Sequence, residues 1–423
     1  MATTAASVAE VCAEAREASR VLARLDGATR TAALLAMADA LEMRSAEILE
    51  ANAADMEAGG EAEIGSALLD RLRLDEGRLA GIASDVRTIA ALPDPVGETI
   101  EGHRLPNGLD VRKVRVPIGV IAVVYEARPN VTIDCSALCI KSGNAIVLRG
   151  SSIATHSNAA MATVAREAVA SAGLPAGTVS LVAGGGREEL AELATQNENV
   201  DLIIPRGGEG LKEALKAVAT IPVIYAASGN CHVFVDATAN LDDAVAIAVN
   251  AKVQKPSVCN AAETLLVHSE VAPDYMPRVL RELRDSGVEL RVDARARSLA
   301  GELAPSLFDA IEEDWGTEYL ELVLAVRVVD SVQEAIDHVN RYGSGHSEAI
   351  VTGSTASAQA FTEGVDAAAV FVNASTRFTD GSVFGMGAEI GTSTQKLHAR
   401  GPIGVRELCT FKYVVEGSGQ VRP

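Results

Sequence analysis

The chain has 423 residues, 48% of them hydrophobic, which is enough for two or three domains each with its own apolar core. Its formal charge of −20 argues against nucleic acid as a partner, because phosphate contacts need clustered Lys and Arg. No apolar run approaches the roughly 20 residues that span a bilayer, and MATTAASVAE lacks the basic and apolar regions of a leader. A cytoplasmic protein that acts on small molecules is expected.

From Ser7 to about Ala91, apolar residues such as Leu34, Leu35, Ala38 and Leu41 recur at three and four residues with Glu and Arg between them. That period predicts an amphipathic helical layer. Pro93, Asp94, Pro95 and Gly97 end it, since neither proline continues a helix. The segments LDVRKVRV (109–116) and TFKYVV (410–415) alternate as half-exposed strands, and both need a sheet to join. Between Gly119 and Asp236 the apolar runs VIAVVY, AIVLR, TVSLVA, VDLII and PVIYA alternate with helical stretches. Such a series predicts a parallel sheet covered on both faces, with ligands at the carboxyl ends of its strands. Gly184, Gly185 and Gly186 follow one run, and Arg206, Gly207 and Gly208 follow another. Either could let a pyrophosphate approach a helix N-terminus, although such runs are also ordinary turns. A second series, ETLLVH, VELRV, LVLAVRVV, EAIVTG and AAVFVNA, predicts a second α/β lobe.

Between the two series lies KVQKPSVCNAAETLLVH (252–268). Pro256, Ser257 and Asn260 predict a turn between an apolar helix over 241–251 and a buried strand, which would leave Cys259 facing a cleft. Lys252 and Lys255 would add positive charge, and the N–H groups of a short helix starting there would favour thiolate. A lone cysteine is otherwise a small buried apolar side chain, and spacing leaves both readings open. The six cysteines show no CxxC spacing, so free thiols are expected and no metal site.

The segments VYEARPNVTIDCSALCIKSGNAIVLRG (124–150), VCNAAETLLVH (258–268) and VNASTRFTDGSVFGMGAEIGTSTQKLHARGP (372–402) resemble those of the gamma-glutamyl phosphate reductase family, within the aldehyde dehydrogenase superfamily. The likeness runs along essentially the whole chain. It implies an α/β fold of two parallel-sheet lobes plus a small β flap for oligomerisation. The implied divisions are an NADP-binding domain over 1–103 and 119–255 with 391–403 returning to it, a catalytic domain over 256–390, and a flap over 104–118 and 404–416. The implied activity is reduction of L-glutamyl 5-phosphate by NADPH to glutamate 5-semialdehyde, a step of proline biosynthesis.

The same resemblance makes Cys259 the nucleophile and Asn130 a candidate side-chain donor to the oxyanion. Arg128 and Arg377 become candidates for the substrate's carboxylate and phosphate, because a guanidinium binds both in a bidentate fork. Asn373, Ser375 and Thr376 share the loop of Arg377. His398 and Arg400 match the family pattern without an assigned role. On the cofactor side, Arg149 ends a strand and Ser152 stands where many NAD-using relatives carry a glutamate. That pair favours NADP, since a serine does not repel a 2′-phosphate. Gly207 and Gly208 are expected by the pyrophosphate and Glu318 at the nicotinamide ribose. A homo-oligomer is expected, with transient contact to glutamate kinase left open by the lability of an acyl phosphate.

Two other readings compete. A hydrolytic aldehyde dehydrogenase of the same superfamily would need a water-activating glutamate, and Tyr225 to Cys231, including Ala226, Ala227 and Ser228, holds no acid. A binding-only scaffold would have no use for Cys259.

Overall fold

The computed structural model describes residues 6–62, 64–184, 186–225 and 228–422. Contacts divide the chain into two compact units, one of residues up to Tyr225 with Gly385–Gly391 and Ile403 onward, the other running on to Phe384 with Thr392–Pro402.

In the first unit, four parallel strands lie in the spatial order Val179–Leu181, Ala145–Arg149, Val120–Tyr125, Leu202–Arg206. The continuous apolar runs are buried along nearly their whole length, as a sheet covered on both faces requires. The strand Val120–Tyr125 has its chain successor Ala145–Arg149 on one side and the later Leu202–Arg206 on the other. The direction of winding therefore reverses there, and the loops after Tyr125 and Arg206 leave the sheet side by side. Among its described residues the expected run PVIYA contributes a single bridge, from Val223 to Ile203. Pro222 has no N–H to extend a ladder.

The N-terminal helices Val8–Leu22, Gly27–Met43, Ser45–Glu61 and Glu76–Ala91 confirm the helical layer. Leu34, Ala38 and Leu41 are buried, whereas Leu35 points outward at 42% exposure. The three-stranded antiparallel sheet Thr99–Arg104, Asp110–Pro117, Cys409–Glu416 joins the two isolated strands expected from alternation. Thr99–Arg104 was not legible, since TIEGHR has no alternation and is exposed throughout.

The second unit holds a seven-stranded, wholly parallel sheet. Its spatial order is Phe308–Asp309, Glu289–Val292, Val323–Val329, Ala262–His268, Cys231–Val235, Ser347–Val351, Ala369–Val372. Neighbouring residues serve opposite faces. Val233 and Leu265 pack with Tyr275 and Leu280, while Phe234 and Leu266 pack with Ile336 and Phe361.

The unit boundaries differ from those expected. Cys231–Val235 sits between Ala262–His268 and Ser347–Val351, so it and the helix Leu241–Val253 belong with the second sheet and not with residues 119–225. The returning segment also differs, because Thr392 and Ser393 pair with Pro402 and Gly401 as a short hairpin inside the second unit. Its stem lies in the first unit, where Ile390 N–H donates to the Ile403 carbonyl at 2.9 Å and Ile403 N–H to Gly391 at 2.8 Å. Arg400 has a role here, donating to the Asp366 carboxylate at 2.8 Å and tying down the hairpin.

Candidate active site

Cys259 sits on the turn between the helix Leu241–Val253 and the strand Ala262–His268. It is partly exposed, and the other five cysteines are buried. The expected short helix is absent, because residues 256–260 form turns only.

The backbone around it is held at successive carbonyls. Val258 accepts from Ala261 N–H at 3.0 Å, Cys259 from the Cys231 thiol at 3.2 Å, and Asn260 from the Thr376 hydroxyl at 2.7 Å. The Asn260 amide donates onward to the Thr379 carbonyl at 2.8 Å. A turn fixed in this way can present one side chain without reorganising.

The positive charge expected from Lys252 is cancelled. Its ammonium is fully buried 2.5 Å from the equally buried Glu263 carboxylate. Burial pushes the Glu263 carboxyl up to about 7 and lowers Lys252, with their mutual contact opposing both shifts. Glu263 also accepts from Leu320 N–H at 3.3 Å, and Leu320 has a φ of 57°, unusual for a residue with a side chain. The neighbouring Glu318 carboxylate accepts from Gly229 N–H at 2.6 Å. Glu318 is therefore brought to the Cys259 turn, because Gly229 lies against the Cys259 carbonyl.

Arg377 is a cation near enough to Cys259 for the two to interact electrostatically. Burial lowers its guanidinium, and Asp380, Cys259 and Cys231 push it back up. Its Nε donates to the Gln254 side chain at 2.9 Å. The other residues of its loop hold the scaffold. Ser375 accepts from Arg377 N–H at 3.3 Å, Thr376 grips the Asn260 carbonyl, and Asn373 exchanges two bonds of 2.8 and 2.9 Å with the Thr352 backbone. For Asn373, at a φ of 57°, the side chain expected at the substrate is already committed to the loop.

The first unit places the remaining candidates at strand ends. Arg128 is exposed on the loop after Tyr125. Asn130 begins the helix Asn130–Lys141, and its amide donates to Asp134 at 2.8 Å, not to open space as an oxyanion donor would. Burial pushes the Asp134 carboxyl up to about 7. Arg149 ends its strand and donates to the Gly186 carbonyl at 2.6 Å, while Ser152 is exposed at the start of the next turn. At Gly207 a Cβ would meet the ends of two side chains, Leu211 at 2.7 Å and the Glu126 carboxyl at 2.8 Å, which would have to move aside. Gly208 N–H, at the start of the helix Glu209–Val218, donates to Glu126 at 3.2 Å, an anion already at that helix end. Gly185, Ala226 and Ala227 lie outside the described residues. Asp134, Gly229, Cys231 and Glu263 escaped sequence reasoning, because each acts through a partner distant in the chain or, for Asp134, through burial.

The model of the aldehyde dehydrogenase family matches residues 1–296. The gamma-glutamyl phosphate reductase of Syntrophomonas wolfei is 52% identical over 409 residues, 97% of either chain. That of Thermobifida fusca is 53% identical over 415 residues, 98% of either chain. This chain belongs to the gamma-glutamyl phosphate reductases of the aldehyde dehydrogenase family. The crystal structure of the gamma-glutamyl phosphate reductase of Thermotoga maritima superimposes with a TM-score of 0.96 at 44% identity, covering 99% of this chain and 100% of that one. As a member of the gamma-glutamyl phosphate reductases the protein is an oxidoreductase, with a fold that binds nicotinamide cofactors. Among the described residues no helix is long and apolar enough to cross a membrane.

Proposed function

We propose that the protein reduces L-glutamyl 5-phosphate to L-glutamate 5-semialdehyde and phosphate with NADPH, through a thioester on Cys259, as a step of proline biosynthesis. The observation that carries this reading is the turn at Cys259, where a partly exposed thiol rises from a backbone whose carbonyls are held in place. The names of relatives about half identical along nearly the whole chain support the substrate.

In this reading the Cys259 thiolate adds to the C5 carbonyl, the carbonyl carbon to phosphate-oxygen bond breaks, and phosphate leaves with the electron pair. The acyl group stays on sulfur. When bound, NADPH supplies the hydride that takes the thioester to the aldehyde level. Collapse of the hemithioacetal breaks the carbon–sulfur bond, releases the aldehyde and restores the thiolate. The Cys259 N–H, on a turn that cannot swing away, serves as oxyanion donor. Arg377 lowers the energy of the thiolate and of the anionic substrate. For Arg128 and Asn130 the proposal keeps the roles of substrate anion contact and oxyanion donor, the latter requiring Asn130 to give up its bond to Asp134.

The residues present fit NADPH. Gly208 opens the helix Glu209–Val218 with no atom within 4 Å of where a Cβ would stand, and a pyrophosphate there would take over the Gly208 N–H from Glu126. Arg149 and Ser152 suit a 2′-phosphate, and Glu318 a ribose. We also read the protein as a cytoplasmic homo-oligomer joined through the flap, where Phe411, Tyr413 and Val415 are 45, 59 and 53% exposed on alternate residues of one strand. Transient contact with glutamate kinase would shorten the life of the free acyl phosphate.

The test is Cys259→Ser. The variant should bind NADPH normally and lose turnover by several orders of magnitude, as expected on removing a covalent nucleophile. It should also lose the burst of phosphate on mixing with substrate. Near-normal turnover would overturn the reading.

A further inference from the structure

We propose that Cys231 is a positioning residue for Cys259, holding the backbone of the nucleophile through a thiol-to-carbonyl hydrogen bond. The inference rests on the reading of Cys259 as nucleophile and names a second residue that this chemistry needs.

The bond joins Cys231 Sγ to the Cys259 carbonyl at 3.2 Å. Cys231 starts the strand Cys231–Val235, where it pairs with Ala262, three residues beyond Cys259. Its side chain is fully buried, and burial pushes its thiol well above the ordinary range. At neutral pH it remains an S–H group, able to donate and unable to compete with Cys259 as a nucleophile.

An independent observation points to the same carbonyl. Gly229 packs so closely on it that a Cβ at that position would overlap the oxygen. One short segment thus grips the Cys259 carbonyl by contact and by hydrogen bond. That segment is anchored in its turn. Gly229 N–H donates to Glu318 at 2.6 Å, Asn230 N–H to the Ser344 hydroxyl at 3.0 Å, and the Asn230 amide to the Trp315 and Tyr342 carbonyls at 2.7 and 2.8 Å. Val258 and Asn260 have their own donors, and Cys231 supplies a donor to the nucleophile itself. Without it the Cys259 peptide can rotate, and the direction of the Cα–Cβ bond that aims the sulfur becomes a distribution instead of a value.

The test compares two variants of similar volume, Cys231→Ser, which keeps a donor, and Cys231→Ala, which does not. A residue that only fills the core predicts that Ala is tolerated at least as well as Ser. A positioning donor predicts the reverse order in kcat. We expect Cys231→Ala to lose about tenfold in kcat, with KM and NADPH binding within twofold of the parent, and Cys231→Ser to retain at least a third of it. The rate at which iodoacetamide alkylates Cys259 without substrate should fall in the same order. Equal kcat values, or Ala above Ser, would overturn the proposal. If Cys231→Ala does not fold, the Ser variant decides alone, since a tenfold loss there with an unchanged alkylation rate would also overturn it. Cys259→Ser serves as control. Activity remaining there would refute the nucleophile reading, whereas an inactive Cys259→Ser beside a fully active Cys231→Ala would refute only the role of Cys231.

Discussion

Gly229 lies against the carbonyl of Cys259, thirty residues on in the chain, with no room between them for a methyl group. Replacing Gly229 with Ala should displace the turn that carries the thiol. We expect destabilisation by about 1–3 kcal/mol, typical of overpacking, and a loss of kcat larger than the loss of NADPH affinity. Urea unfolding and steady-state kinetics on one preparation measure both. A fully active Gly229→Ala protein would show that the contact is not needed.

The buried pair Lys252 and Glu263 yields a second expectation. Lys252→Met leaves the buried Glu263 carboxyl without its partner, forcing it to take up a proton or stay charged in the interior, and should cost about 3–5 kcal/mol. Adding Glu263→Gln should recover most of that, because the amide oxygen can still accept from Leu320 N–H while no charge is left buried. Thermal or urea unfolding of the single and double variants tests this. A double variant no more stable than the single would argue against a charged pair.

Asp134 should make stability depend on pH. Its carboxyl is raised by burial to about 7 from 3.8, with Asp85 adding to the shift and the Asn130 amide and Arg206 opposing it. Between those values the folded protein holds a proton that the unfolded chain releases. The contribution of this group to stability is therefore present below pH 3.8 and is lost as pH rises through 7. Relative to Asp134→Asn, the parent should lose about 2–3 kcal/mol between pH 5 and pH 7.5. Parallel pH curves for the two proteins would contradict this.

For cofactor choice, Ser152→Glu places a carboxylate at an exposed position three residues after Arg149. The ratio of kcat/KM for NADPH to that for NADH should fall by about tenfold or more, the effect of one unfavourable charge contact at short range. An unaltered ratio would move the discriminating contact elsewhere.

Thioester fate separates reductase from hydrolytic dehydrogenase. With no acid from Tyr225 to Cys231, oxidation of glutamate 5-semialdehyde with NADP should depend on added phosphate, with arsenate able to replace it. The Glu318 carboxylate on Gly229 N–H sharpens the assay, since it is the acid brought to this turn. NADPH formation beyond one turnover per site without either anion would show that water deacylates Cys259. Its loss in Glu318→Gln, with NADP affinity unchanged, would then name the base.

Periodicity along the chain was enough to determine the helical N-terminal layer, the two parallel sheets and the two alternating flap strands. Those features follow from local pattern, because a strand buried on both faces must be apolar throughout and a half-exposed one must alternate. Cys259 and Arg377 could be named as candidates for a related reason, being reactive or charged groups in a matched local context. What only the tertiary structure decided involves partners far apart in sequence. Cys231–Val235 lies between strands from later in the chain, so the unit boundary falls before it and not at the turn of Cys259. Lys252 reads as a free cation beside Cys259 until Glu263 arrives on the next strand and neutralises it. Asn373 reads as a substrate contact until the Thr352 backbone takes both ends of its amide. The hydrogen bond from Cys231 and the contact from Gly229 leave no periodic trace, because each depends on where one atom of a distant turn comes to rest. Local pattern sets which face of an element is buried, and the register of long-range pairing sets which polar groups meet there.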